Sequence, residues 1–504
     1  MKIQQFLEYH GMVRNPFAEE DAQTDPIFKG HCISSTFHPT WDKVYGDPRE
    51  PSTAVVFGEK GSGKTAIRLQ IARHLQRYNH DHADKRVFVI HYEDFNPFLD
   101  RFCSKLRGRK RRADRALATW KLWDHMDAIL TLGVTDLVDR ILSPSNPSDN
   151  GTATENPVRS EDVSQLDRHQ ARDLLLLAAC YDHSMATTFK DRWQRLRTRV
   201  RYQTWRSQIP LAIGLAWMVA VLGAIVALFA TGHETWAQPL WLFVAAAFAG
   251  WLPWLWRQTH CWWLARGVLS HLRISNHETG QLRQVLMQFP ASELSGQPLP
   301  NRDRTDDRYE LLVKFQSVLR TLGFSGIIVL VDRLDEPHLI NGSIELMKSL
   351  LWPMLDNKFL KHPGIGLKLM VPLELTRFLE REDKQFYERA RLDKQNLVAN
   401  FEWSGEALFD VATSRIRACS NGDKPAQLQG LFDPSITERR LVDTFRQLRV
   451  PRRLFKFLYR LLVNHCNAHT DQQPAWKISS EMFEATLSVY LRDQDAFDRG
   501  LAAG

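Results

Sequence analysis

An eight-residue segment near the start of the chain has the residue types that bind the phosphates of a nucleotide. It reads Gly58-Glu-Lys-Gly-Ser-Gly-Lys64-Thr65 and matches the pattern G-x-x-x-x-G-K-S/T. Glycines lack a Cβ, so the backbone can curl until successive N–H groups face phosphate oxygens. We predict that Lys64 contacts the β- and γ-phosphates and that Thr65 holds Mg²⁺. The predicted nucleotide-binding residues are Gly58, Glu59, Lys60, Gly61, Ser62, Gly63, Lys64 and Thr65.

A group of carboxylates follows an apolar segment much later in the chain. The segment reads Ile327-Ile-Val-Leu-Val-Asp332-Arg-Leu-Asp335-Glu336. Parallel sheets bind ligands at the C-terminal ends of their strands. We predict that Asp332 is a partner of the same Mg²⁺ as Thr65, either directly or in its second coordination shell, and that Glu336 or Asp335 orients the attacking water in line with the γ-phosphate. A strand that ends in Asp is common, so this prediction depends on the upstream loop.

Both segments require a parallel sheet that brings them to one edge. Five short apolar runs are typical of buried parallel strands. They are Ser52–Phe57, Arg86–His91, Gly326–Asp332, Gly366–Val371 and Asn396–Phe401. After about residue 434, apolar residues recur at helical spacing, which predicts a C-terminal helical lid.

The middle of the chain contains two apolar segments that predict a membrane hairpin. Residues 209–230 contain no charged residue and are long enough to cross a hydrocarbon core of about 30 Å. Residues 240–256 form a shorter second segment. Lys and Arg crowd residues 190–206, whereas 231–239 contain neither, so we expect both flanks on the cytoplasmic side of the inner (plasma) membrane. A buried helical pair in a soluble domain is the alternative.

These patterns predict an α/β fold with a three-layer parallel-sheet P-loop NTPase core, an inserted transmembrane helical hairpin and a C-terminal helical lid. Residues 1–53 are expected to form a lead-in on the first strand, without visible chemistry. The other predicted divisions are a first part of the NTPase domain (54–142), a flexible linker (143–162), a helical insertion (163–300), a second part of the NTPase domain (301–425) and the lid (426–504).

Four features resemble the additional-strand P-loop ATPases of the AAA+ and STAND type. They are the phosphate loop, the acidic strand end, the stretch Arg391-Leu-Asp-Lys394 ahead of a strand, and Val450-Pro-Arg-Arg-Leu454 in the lid. The nearest resemblance is to the KAP NTPases, which carry transmembrane helices within the P-loop domain, and the next is to ORC-like ATPases. KAP proteins typically carry D-D-L-D-R after this strand, whereas this chain has D-R-L-D-E, which favours a STAND-like ending.

The resemblance implies ATP and Mg²⁺ as cofactors, and roles in prokaryotic signalling or phage defence with a protein effector or a homo-oligomer as partner. By the same resemblance, Arg452 or Arg453 would be a sensor arginine that touches the γ-phosphate. Arg389 or Arg391 would be a finger that reaches a neighbouring subunit. An arginine on a surface helix is more often only solvated.

Three functional hypotheses follow from these features. The preferred one is a membrane-tethered ATPase switch that contacts the lipid bilayer and faces the cytoplasm. The second is a nucleotide-gated membrane scaffold with negligible hydrolysis. The third is an ORC-like ATPase that depends on nucleic acid, a partner that is possible but not favoured. The net charge of +8 and the cationic segment 101–115 suit either lipid or nucleic acid, although such segments are usually solvated.

Overall fold

A five-stranded parallel sheet lies at the centre of the chain. The computed structural model describes residues 1–143, 158–184, 188–230, 240–421 and 426–498. The strands are β1 (Ala54–Gly58), β2 (Arg86–Tyr92), β3 (Phe324–Val331), β4 (Ile365–Pro372) and β5 (Asn396–Val398). Their order is β2-β3-β4-β1-β5, and each neighbouring pair is parallel. All five predicted runs therefore contribute to one sheet, and the predicted α/β parallel-sheet class is confirmed.

Helices make up most of the rest of the described chain. In chain order, the α-helices are Ile3–Tyr9, Pro26–Gly30, Trp41–Tyr45, Lys64–Asp81, Asn96–Lys105, Ala113–Ala118, Leu122–Leu142, Ser160–Ser164, Arg168–Tyr181, Phe189–Arg199, Ile209–Ala230, Leu240–Ala249, Leu252–His271, Thr279–Leu286, Ala291–Leu294, Asp306–Thr321, Ile344–Leu351, Asn357–Leu360, Thr376–Leu379, Lys384–Ala390, Gly405–Cys419, Glu438–Leu448, Pro451–Ala468 and Ser480–Asp498.

Alternate strand residues point to opposite sides of the sheet. Buried apolar residues lie on both sides, and helices cover both faces. On one face, Ile328 of β3 shares a core with Ile71 of the helix Lys64–Asp81. We call this helix the loop helix, since it follows the loop after β1. The other face is covered by Leu122–Leu142, which we call the central helix, and by Asp306–Thr321, which leads into β3. The sheet is therefore buried on both sides, as its continuous apolar strands predict.

The chain between β2 and β3 forms a helical body that packs on the sheet. Its helices share one apolar core with the sheet, from Phe95 near its start to Leu322 near its end. The central helix belongs to this body, although the sequence divisions place the start of the insertion later, at residue 163. Most of the linker predicted at 143–162 falls outside the described residues.

Two buried ion pairs lie near the start of the central helix. Asp127 and Arg308 are both fully buried, with 3.1 Å between Oδ2 and Nη2. The Tyr181 hydroxyl also donates to Asp127, at 2.8 Å. One turn earlier, Asp124 pairs with Arg273, whose Nε lies 2.9 Å from Oδ1. A buried charge without a partner is expensive, so these pairs specify how the surrounding helices meet.

Residues from both ends of the chain share a separate apolar core. Phe6 and Phe17 pack with residues of the helices Glu438–Leu448 and Pro451–Ala468. We call this assembly the C-terminal helical layer. The sequence predicted that residues 1–53 lie on the first strand. The short helix Trp41–Tyr45 does pack near β1, but the first seventeen residues belong to the other layer.

The apolar segments in the middle of the chain form exposed helices. The stretch Trp205–Leu228 is long and apolar enough to cross a membrane. Of its most apolar 18 consecutive residues, 11% are buried. It is joined to Leu240–Ala249 by a hydrogen bond in which Trp217 Nε1 donates to the Ala246 carbonyl at 2.8 Å. The segment predicted as one helix at 240–256 is divided. The helix Leu240–Ala249 ends at a turn that includes Gly250, and the next helix begins at Leu252. Residues 231–239 lie outside the described residues.

Replacing Arg308 by Met tests the buried pair. Arg308→Met should lower the free energy of unfolding by about 3–5 kcal/mol, because it leaves Asp127 buried without a cation. Urea unfolding of the detergent-solubilised chain, followed by circular dichroism, measures the change.

The matched control is Arg304→Met, which removes an exposed partner 3.4 Å from Asp307 and should change the free energy by about 0–1 kcal/mol. The double variant Asp127→Asn, Arg308→Met should recover part of the loss. A double variant no more stable than Arg308→Met would contradict the assignment of the loss to an unpaired charge.

Candidate functional site

The glycine-rich segment forms a tight loop between β1 and the loop helix. Gly61 and Gly63 have φ values of +86° and +95°, a backbone conformation that residues with a Cβ rarely adopt. Lys64 is the first residue of the loop helix, and its Nζ donates to the carbonyls of Gly58 at 2.7 Å and Glu59 at 2.8 Å. Burial lowers the pKa of Lys64, while Asp332 and other nearby carboxylates oppose that shift.

The two predicted metal ligands lie in contact. The Thr65 hydroxyl donates to Oδ2 of Asp332 at 2.9 Å. Thr65 lies in the first turn of the loop helix, and Asp332 directly follows β3. Because the strands are parallel, both positions are at the same edge of the sheet. Burial raises the pKa of Asp332, and the Arg68 guanidinium and the Thr65 hydrogen bond oppose that rise.

A buried arginine next to this contact is a residue that the sequence analysis missed. Arg68 is 2% exposed, and its Nε lies 3.2 Å from Asp332 Oδ2. Its Nη1 lies 2.5 Å from Oε2 of Glu93, which directly follows β2. Two signals could have found this cluster. Arg68 is one helical turn after Lys64. Glu93 directly follows β2, as Asp332 directly follows β3.

The two candidate water-orienting carboxylates line the same cavity. Glu336 is exposed and pairs with Nη1 of Arg333 at 3.1 Å. Partial burial raises the pKa of Glu336, and Arg333 opposes that rise. Arg333 adopts a φ of +61° and also contacts Gln23 in the N-terminal segment. Asp335 is half-buried, and its backbone carbonyl accepts a hydrogen bond from the Gly342 N–H at 3.2 Å.

The predicted sensor arginines lie at the start of the helix Pro451–Ala468, directly against the loop. The backbone N–H of Arg452 donates to the Gly61 carbonyl at 3.3 Å. The side chains face carboxylates: Arg452 Nε is 4.0 Å from Glu20, and Arg453 Nη2 is 4.0 Å from Glu59. The C-terminal helical layer therefore packs against the glycine-rich loop between β1 and the loop helix.

The proposed finger arginines lie elsewhere. Arg389 stacks over the ring of Phe386, 5.6 Å from its centroid, and Arg391 lies 4.0 Å from Asp393. Neither arginine is among the described residues that line the cavity.

A cavity of about 400 Å³ joins the loop, the end of β3, the N-terminal segment and the C-terminal helical layer. The N-terminal residues that line it are Glu20, Asp21, Ala22, Asp25, Phe28, Cys32, Thr36 and His38. The sequence analysis assigned no chemistry to this segment. The volume of the cavity is in the range of sites that bind small molecules.

Aromatic side chains line the cavity beside the loop. The His38 ring stacks on Phe401 with 3.8 Å between centroids, and Trp403 Nε1 donates to the Ser62 carbonyl at 2.7 Å. The same cavity is lined by the lysine and threonine of the loop and by the carboxylates that follow β3. Flat rings and charged groups are thus both available to a ligand.

Comparisons of the chain with protein-family models, with curated proteins and with solved structures found no match.

Gly61→Ala tests the docking of the C-terminal helical layer on the loop. A Cβ at Gly61 would lie 2.6 Å from the Cβ of Arg452, so the loop and the helix must move apart, at a cost of about 1–3 kcal/mol. We expect faster amide exchange at residues 452–455, measured by hydrogen–deuterium exchange. The control is Gly430→Ala, where the new Cβ meets no described atom within 4 Å. Unchanged exchange in Gly61→Ala would contradict this docking.

Proposed function

We propose that this chain is an ATP-binding P-loop NTPase of the AAA+ and STAND kind, with its nearest resemblance to the KAP NTPases. The observation that carries the proposal is the 2.9 Å contact between the Thr65 hydroxyl and the Asp332 carboxylate. Two oxygens that bind one Mg²⁺ at adjacent octahedral positions, each about 2.0–2.1 Å from the metal, are separated by about 2.9 Å. Thr65 and Asp332 are thus already spaced to serve one metal ion.

The sheet order also supports this class. The name additional-strand refers to a strand between the loop strand and the acidic strand, and β4 lies between β1 and β3. The loop after β1 has the glycine conformations and the lysine that phosphate binding requires. This strand order is sufficient to bring the loop after β1 and the carboxylates after β3 to the same edge of the sheet.

The proposed mechanism assigns each group a task. Backbone N–H groups of the loop bind phosphate oxygens, and Lys64 exchanges the carbonyls of Gly58 and Glu59 for the β- and γ-phosphates. Thr65 and Asp332 would hold Mg²⁺, which would neutralise negative charge on those phosphates. Glu336 or Asp335 orients the water. Contact between Arg452 or Arg453 and the γ-phosphate would couple the nucleotide to the position of the C-terminal helical layer.

The proposal places the protein at the inner membrane. The exposed, apolar stretch Trp205–Leu228 would span the bilayer, and the helix Leu240–Ala249 together with the exposed first turns of the helix Leu252–His271 would return the chain. The exposed side chains of Arg195, Arg199 and Arg206 flank the entry, and this excess of basic residues favours a cytoplasmic location for the NTPase core.

Binding of a non-hydrolysable ATP analogue tests the loop assignment. Lys64→Ala should weaken binding by about 30-fold or more, because removing one partner of a buried charge contact costs about 2–5 kcal/mol. Titration calorimetry on the detergent-solubilised chain measures the affinity. The control is Lys85→Ala, an exposed lysine in the turn before β2, which should bind as the wild type does. Equal affinity for Lys64→Ala and wild type would exclude this site.

A scaffold with negligible hydrolysis is the second candidate, and the pairing of Glu336 with Arg333 is the observation that favours it. The double variant Asp335→Asn, Glu336→Gln separates the two, because either carboxylate is a candidate to orient the water. In a working ATPase, turnover falls while ATP binding persists. In a scaffold, turnover is negligible from the start and the variant changes neither quantity.

Cysteine labelling tests the membrane topology. A cysteine placed at Thr235, between the two apolar helices, should react with a membrane-impermeant maleimide in intact spheroplasts, because this segment is predicted to face outward. A cysteine placed at Ser270, which is exposed on the cytoplasmic body, should react only after lysis. Labelling of both positions only after lysis would overturn the hairpin.

A further inference from the structure

The Arg68 side chain joins three elements beneath the Thr65–Asp332 contact. It arises from the loop helix one turn after Lys64 and reaches the residues that follow β2 and β3. Its Nε is 3.2 Å from Oδ2 of Asp332, the same oxygen that accepts the Thr65 hydroxyl. Asp332 Oδ2 thus lies between a fixed cation and the candidate metal ligand Thr65.

The remaining contacts of Arg68 show how the guanidinium is held. Nη1 lies 2.5 Å from the Glu93 carboxylate. Nε and Nη2 are buried, and neither has a hydrogen-bond partner among the residues that the structure describes, so Nε faces Asp332 as an ion pair. A guanidinium kept only to tie two strands together would use its donors more fully, since it offers five in a fixed plane.

We propose that Arg68 is a positioning residue that aims the Asp332 carboxylate at the Thr65 hydroxyl and so sets the affinity of this site for Mg²⁺. The inference rests on the proposed nucleotide site. Groups that hold a metal ligand in place commonly contribute 10- to 100-fold, as an order of magnitude, to metal affinity. Arg68 has no role in the phosphate contacts themselves, which belong to the loop and Lys64.

The two carboxylates on Arg68 allow a positioning role to be separated from a structural one. If Arg68 serves Asp332, loss of Glu93 leaves the Arg68–Asp332 contact in place. If Arg68 is only a tie between the ends of β2 and β3, loss of either end breaks the tie equally. The variants Arg68→Met and Glu93→Gln therefore have different consequences under the two roles.

The experiment measures the affinity of the full-length, detergent-solubilised chain for a fluorescent, non-hydrolysable ATP analogue, in EDTA and across a Mg²⁺ titration. Arg68→Met should raise the half-saturating Mg²⁺ concentration by about 10- to 100-fold and leave affinity in EDTA close to that of the wild type. Glu93→Gln should keep the wild-type Mg²⁺ dependence. Arg68→Lys, which retains the charge without the planar fork, should restore part of the loss.

Two further variants serve as controls. Arg73→Met removes an exposed arginine from the same helix and should match the wild type. The double variant Arg68→Met, Glu93→Gln removes one charge of each sign, so it should show the same Mg²⁺ defect without a change in net charge. It also carries the test if circular dichroism shows that Arg68→Met alone does not fold.

The outcomes are distinguishable. A wild-type chain that binds no analogue, with or without Mg²⁺, refutes the proposed function. A wild-type chain that binds with Mg²⁺ dependence, together with Arg68 variants that keep the same dependence, refutes this inference alone. Equal Mg²⁺ defects in Arg68→Met and Glu93→Gln also refute it, because they identify a structural tie.

Discussion

The hydrogen bond between Thr65 and Asp332 is the contact on which the arrangement of the rest of the chain depends. The two residues are 267 positions apart, and parallel strands bring them to one edge of the sheet. The helical body inserted between β2 and β3 must therefore return the chain to the sheet in the correct register. Arg308 lies on the helix that leads into β3, and its buried pair with Asp127 of the central helix helps to fix that return.

Short-range patterns predicted the sheet well. Apolar runs of six or seven residues bounded by turn residues are consistent with buried strands of a parallel sheet, and all five contain strands. The glycine loop was also predictable, because φ values such as those of Gly61 and Gly63 need a residue without a Cβ.

Other parts of the site depend on contacts that leave no local pattern. The segment from Glu20 to His38 lines the cavity because the N-terminus packs into the C-terminal helical layer, which no short window of sequence reveals. Arg68 was missed for a related reason: an arginine in an amphipathic helix is normally solvated, and its burial requires two carboxylates from distant strands. The turn at Gly250 was missed because hydropathy does not show where a helix is interrupted.

Arginine–carboxylate contacts recur around the cavity. Arg333 pairs with Glu336, and the arginines that begin the helix Pro451–Ala468 face Glu20 and Glu59. The exposed pairs contribute little to stability. Their common property is that each cation is held by a carboxylate of the same chain, so a polyanionic ligand would compete with carboxylates for these guanidinium groups and redistribute contacts between layers.

The helix Leu252–His271 connects two different environments. Its first turns expose Leu252, Leu255 and Trp256, whereas Cys261, Ala265 and Val268 are buried in the helical body. A helix of this length is about 30 Å long. Arg273, just past its buried end, pairs with Asp124 of the central helix. One continuous helix therefore connects the exposed apolar segment to the helix that packs on the sheet.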